Sequence, residues 1–119
     1  MRQLILLFLL LTLTACPQKE DDGIFCTEEF VYGLIVTVTD ANTNQPIEEG
    51  ITVLAEDDDY SEVLEFAFDS YIGAGERAGM YTITVSGDGY KTAVVGPIEV
   101  TADECHVMTE TVTIILMPN

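Results

Sequence analysis

"GMYTITVSGDGYKTAVV", residues 79–95, decides the fold. Met80 to Ser86 alternates strictly, with Tyr81, Ile83 and Val85 on one side and Thr82, Thr84 and Ser86 on the other. Period two, filled with β-branched and aromatic residues, reads as a half-buried strand with Tyr81, Ile83 and Val85 inward. Gly87-Asp88-Gly89 makes a tight turn into a second strand, Tyr90 to Val95.

Upstream, Val31 to Thr39 repeats the alternation. Leu34, Val36 and Val38 share one face, and Ile35, Thr37 and Thr39 share the other. Asp40 to Pro46 is turn chemistry, and Ile51 to Ala55 is the next strand. Glu56 to Asp59 reads as an acidic loop. Val63 to Phe68 fits a strand better than a short helical turn, and Gly73 to Gly79 reads as a loop. Downstream, Gly96-Pro97 is expected to break the strand before Ile98 to Val100. The last strand, about Val107 to Leu116, sets Val112, Ile114 and Leu116 on one face. No helix of ordinary length and no internal repeat appear. Short strands at regular spacing in one small domain predict an all-β, two-layer sandwich.

Three stretches carry a resemblance: "VTVTDANTNQPIEEGITVLAED" (36–57), "AGMYTITVSGDGYKTAVV" (78–95) and "TVTIILMP" (111–118). In order and spacing they resemble the carboxypeptidase regulatory-like domain. The matching features are the Asp40 to Pro46 turn, the Gly79-x-Tyr81 strand start and the Gly89-Tyr90 pair. The resemblance spans roughly Val31 to Pro118 and implies a single seven-stranded sandwich of transthyretin-like, Greek-key topology. It also implies an accessory module, without the carboxypeptidase catalytic domain.

The chain opens with Met1-Arg2-Gln3 and an apolar run, Leu4 to Leu13. A membrane span needs about 20 apolar residues; about ten behind one positive charge fit a secretory leader. Leu13-Thr14-Ala15-Cys16 resembles a bacterial lipobox, in which the cysteine thiol takes a diacylglycerol and cleavage precedes it. The expected organisation is a leader at 1–15, a lipidated Cys16 with an acidic tether at 16–25, and the sandwich at 26–119. Lys19-Glu20-Asp21-Asp22 is similar to a surface-export tag and equally fits a plain polar linker. The resemblance places the protein on the bacterial outer membrane, on its periplasmic or its cell-surface face.

Formal net charge is -17, and without Arg2 only Lys19, Arg77 and Lys91 are basic. Such a surface repels nucleic acid and anionic headgroups. It favours solubility and cationic partners.

With Cys16 assigned to lipid, Cys26 and Cys105 remain. In an exported protein an even remainder suggests a disulfide. A two-thiol metal site is the alternative, but it lacks further soft ligands beside the single His106. The transthyretin-like resemblance implies parallel pairing of the first and a late edge strand. That would bring the ends after Cys26 and Cys105 together.

His106 beside Cys105 suggests thiol catalysis, but neighbours on a strand point to opposite faces. A surface histidine is the expectation. The hydroxyisourate hydrolases of the same fold use several histidines, which this chain lacks. Asp57-Asp58-Asp59 is a weak calcium candidate without EF-hand spacing, so a solvated charge run is expected and no cofactor is assigned. Tyr81 and Tyr90 read as core or corner residues. Tyr60 and Tyr71, with Asp57, Asp58 and Asp59, are the candidate contact residues for a ligand. The expected function is a non-enzymatic, lipid-anchored binding or scaffold module for a glycan, cation or protein. The alternative is an assembly partner of another envelope protein through edge strands, and a hydrolase comes last.

Overall fold

The computed structural model describes residues 25–119. The expected leader, Cys16 and most of the tether lie outside the described residues. The described residues form eight strands: β1 (Tyr32–Asp40), β2 (Ile51–Asp57), β3 (Tyr60–Val63), β4 (Glu65–Ala67), β5 (Ser70–Gly75), β6 (Gly79–Gly87), β7 (Ala93–Val100) and β8 (Glu110–Leu116). They make two four-stranded sheets, ordered β4-β5-β1-β8 and β3-β2-β6-β7. The described residues make an all-β sandwich with eight strands rather than the expected seven.

Alternation built the core. Leu34, Val36 and Val38 of β1, Tyr81, Ile83 and Val85 of β6, and Val53 and Ala55 of β2 are all buried. Ile114 and Leu116 of β8 join them, with Val112 partly buried beside them. Burying each large apolar side chain contributes roughly 1.5–3 kcal/mol relative to leaving it exposed. β1 pairs antiparallel with β5 and parallel with β8, in register from Leu34↔Glu110 to Asp40↔Leu116. Like ends of β1 and β8 therefore meet.

Several expectations are corrected. Gly73 to Gly79 is not all loop: Gly73, Ala74 and Gly75 belong to β5, the strand between β4 and β1. Small residues are needed there. A Cβ on Gly73 would strike Leu64 and the Glu62 carboxylate, and one on Gly75 would strike the Phe30 ring. Glu56 to Asp59 is not a loop either. β2 runs through Asp57, which pairs with Tyr60, so only Asp58 and Asp59 turn the chain in a two-residue hairpin. The single strand at Val63 to Phe68 is two strands. β3 ends at Val63 in one sheet, buried Leu64 crosses, and β4 begins at Glu65 in the other. Phe68 and Asp69, both at positive φ, close the β4–β5 hairpin.

Gly96-Pro97 does not end its strand. β7 continues to Val100 with a register shift opposite Tyr81 and Ile83, and it is an edge strand, where proline is tolerated. At its other end, Tyr90 leaves this sheet and pairs with Pro118, while Lys91 N donates to Met117 O at 2.8 Å. The last strand starts at Glu110, later than expected. Val107 is still buried, in a bridge with Ala102.

Candidate functional site

Two constellations stand out. The first gathers three loops at the N-terminal ends of β1 and β8. Cys26 and Cys105 form a disulfide with a Cα–Cα distance of 5.1 Å, inside the usual range. The parallel β1–β8 pairing places them together, and the two-thiol metal alternative falls. Beside the disulfide, His106 Nδ1 meets Glu76 Oε2 at 2.6 Å and His106 Nε2 meets Thr27 Oγ1 at 3.0 Å. Glu76 also accepts bonds from Val31 N at 2.9 Å and Val107 N at 3.3 Å. The Asp103 carboxylate accepts from the Cys105 and His106 N–H groups, both at 2.8 Å, and so shapes the turn.

The Glu76 hydrogen bond holds the His106 pKa above its ordinary value, and the nearby Glu76, Glu29 and Asp103 charges act the same way, against some desolvation. Desolvation raises the Glu76 carboxyl, but bonds from His106, Val31 and Val107 outweigh it and leave it lowered. The group is thus an imidazole–carboxylate strut tying the N-terminal segment to the β5–β6 and β7–β8 connections. His106 is not the simple surface histidine expected. Thr27 and Glu76 carried no motif, since positions 27, 76 and 106 come from three separate loops.

The second constellation is a corner around Arg77. Arg77 Nη1 donates to Asp57 Oδ2 at 3.1 Å and to the Tyr81 hydroxyl at 3.0 Å. The Tyr81 hydroxyl donates to Arg77 O at 2.8 Å, four residues upstream, much as in a tyrosine corner. The guanidinium lies 3.8 Å from the centroid of the Tyr60 ring. The Tyr60 hydroxyl donates to Glu62 Oε1 at 2.7 Å, and that oxygen also takes Ala74 N at 2.9 Å. The bond to Glu62, then burial, raises the Tyr60 pKa. Asp57, Asp58, Asp59, Tyr60 and Arg77 line an open depression of about 370 Å³.

Four of the five expected contact residues therefore meet, and Tyr71 does not. It lies in β5, is 5 % exposed, and its hydroxyl donates to Ile47 O at 2.9 Å. The residue read as a loop contact is a core tyrosine. Asp57 is committed to Arg77, and among the described residues no three or more His, Cys, Asp or Glu side chains converge to hold a metal. Tyr81 is fully buried, and Tyr90 is partly buried with its hydroxyl on Asp40 Oδ2 at 2.7 Å. At the opposite end of the second sheet, Thr52, Ser86, Asp88 and Thr92 help line another open depression of about 480 Å³. Sequence reading missed it, because hydroxyls on an outer sheet face look like ordinary solvent contacts.

The chain matches no protein-family model and no curated protein sequence.

Proposed function

We propose that this protein is an exported, lipid-anchored β-sandwich module of the bacterial envelope, similar to carboxypeptidase regulatory-like domains. It acts as a binding or scaffold domain rather than as an enzyme. The observation that carries the reading is the Cys26–Cys105 disulfide, ten positions after the lipobox-like cysteine. A disulfide suits an oxidising compartment, which the leader at residues 1–15 supplies. Lipid on Cys16 would hold the membrane, and the acidic tether would keep the sandwich clear of it. The two depressions at opposite ends of the second sheet are where a glycan or a cationic group would be sought.

One observation favours a second reading, hydrolysis. Thr27, His106 and Glu76 lie in a hydroxyl–imidazole–carboxylate line. Two facts favour the strut instead. The Glu76 hydrogen bond raises the His106 pKa and so favours the charged ring over the free base that would take the Thr27 proton. Glu76 also spends bonds on two backbone N–H groups. Esterase and amidase screens should find no activity that depends on these groups. Hydrolysis lost in both His106→Ala and Thr27→Ala would establish the second reading.

The main proposal is tested by fractionating and shaving cells. Wild-type protein should sediment with membranes, and Cys16→Ser should not. Loss of the C-terminal strand to protease on intact cells would mark the cell surface as its face, and survival until lysis the periplasm. Equal sedimentation of wild type and Cys16→Ser would defeat the anchor.

A further inference from the structure

The β4–β5 hairpin turns on two residues, Phe68 and Asp69, between the paired Ala67 and Ser70. Both sit in the left-handed region, at φ 56° and 69°. Turns with two such residues favour Asn-Gly or Asp-Gly, because a Cβ at positive φ crowds the backbone. Asp tolerates the region, but a bulky phenylalanine there is an outlier. The other non-glycine residues at positive φ are Asn44, Asp58, Ala74 and Glu76. Asn and Asp tolerate it, Ala74 is buried, and the Glu76 carboxylate is held by Val31, His106 and Val107. The fold has no such hold on Phe68, whose side chain is 92 % exposed. Left-handed strain and an exposed aromatic ring both destabilise the isolated domain, and strained backbone of this kind clusters at functional sites.

Phe66, 38 % exposed, stands at the base of the same hairpin, its ring edge-on to Tyr71 at 5.1 Å. Around the two rings the charge has one sign. Glu65 and Asp69 belong to the hairpin, and the Tyr71 hydroxyl on Ile47 O brings Glu48 and Glu49 to its flank. No Lys or Arg occurs from Ile47 to Gly75. β5 runs from the turn to Gly75, which pairs with Tyr32 at the start of β1. The tip therefore stands about 20 Å along the sheet from the end where the chain enters the sandwich.

We propose that the β4–β5 tip is a docking knob: Phe68, backed by Phe66, enters an apolar pocket on another protein, and basic side chains on the rim of that pocket pair with Glu48, Glu49, Glu65 and Asp69. Aromatic anchors seated in a partner's pocket carry much of the affinity of protein contacts, and the charges around them set orientation and exclude wrong partners. The same carboxylates repel an anionic bilayer. A second copy offers no basic rim, because Arg77 and Lys91 are the only Lys or Arg among the described residues and Arg77 is engaged by Asp57. The tip is reached whether or not Cys16 carries lipid, so the inference stands apart from the anchor.

Both tests use the full chain. Phe68→Asn places a residue suited to the left-handed turn, so the thermal midpoint should rise by roughly 4 °C or more. An unchanged or lower midpoint would show that the ring serves the fold, and would overturn the proposal. In producing cells, a benzophenone-bearing phenylalanine analogue in place of Phe68 should photocross-link to one protein, at a peptide that carries Lys or Arg. The same analogue in place of Val94, 65 % exposed on the other sheet, should not form that adduct. Glu48→Gln, Glu49→Gln and Asp69→Asn together should cut its yield at least about five-fold. No adduct, an adduct shared with position 94, cross-linking to lipid or to a second copy, or a yield indifferent to the three carboxylates would each overturn the proposal.

Discussion

Tyr81 does two jobs with one side chain. Its ring is fully buried, and its hydroxyl both donates to Arg77 O and accepts from Arg77 Nη1. Tyr81→Phe should lose about 1–2 kcal/mol in urea unfolding, because it leaves that carbonyl short of a partner. Gly73 tests packing. A valine there must displace Leu64 and Glu62, so Gly73→Val should cost about 1–3 kcal/mol by the same measurement. The His106–Glu76 pair predicts a pH window. The raised His106 pKa gives stability that is complete below the ordinary histidine value of 6.5 and is lost as pH climbs through the folded value. The lowered Glu76 pKa gives stability complete above the ordinary glutamate value of 4.5 and lost as pH falls through the folded value. The pair should therefore stabilise most between those values. Unfolding curves of wild type and Glu76→Gln should lie furthest apart there and converge on either side. A constant gap across pH would show that the pair adds nothing specific. Of this group only His106 was visible in the sequence; its partners are set by loop closure, not by local pattern.

Strands were legible where side chains alternate and obscure where backbone proximity decides. β1, β6 and β8 announced their buried faces through Leu34, Val36, Val38, Tyr81, Ile83, Val85, Ile114 and Leu116. β5 hid, because glycines that look like loop are there to admit Leu64 and Phe30. Its Tyr71 was misplaced for the same reason. β3 hid behind acidic residues, since a two-residue turn needs only Asp58 and Asp59, and Asp57 stays in the ladder. The cysteine pair was legible because assigning Cys16 to lipid leaves an even remainder, and the parallel β1–β8 pairing brings Cys26 and Cys105 together. Its chain separation is 79 residues, and cross-linking so long a loop restricts the unfolded chain strongly. Reduction should lower unfolding free energy by up to about 4.5 kcal/mol on the chain-entropy model. Comparing thermal midpoints with and without reductant checks this, and an unchanged midpoint would assign the disulfide no stabilising role.

At the scale of the whole molecule, the sandwich concentrates its specific features at its ends. The strut and disulfide sit where the chain enters the domain, so a pull on the N-terminal segment would be borne by a covalent bond before it reached β1. The Arg77 corner closes one end of the second sheet, and the hydroxyl-lined depression opens at the other. These features suit a module held at one end and contacted elsewhere. The most direct test of that account is metabolic labelling of producing cells with a clickable fatty acid, followed by intact mass of the purified protein. Label is expected on wild type, none on Cys16→Ser, and the mature chain should begin at Cys16. Unlabelled wild-type protein, or label that persists in Cys16→Ser, would contradict it.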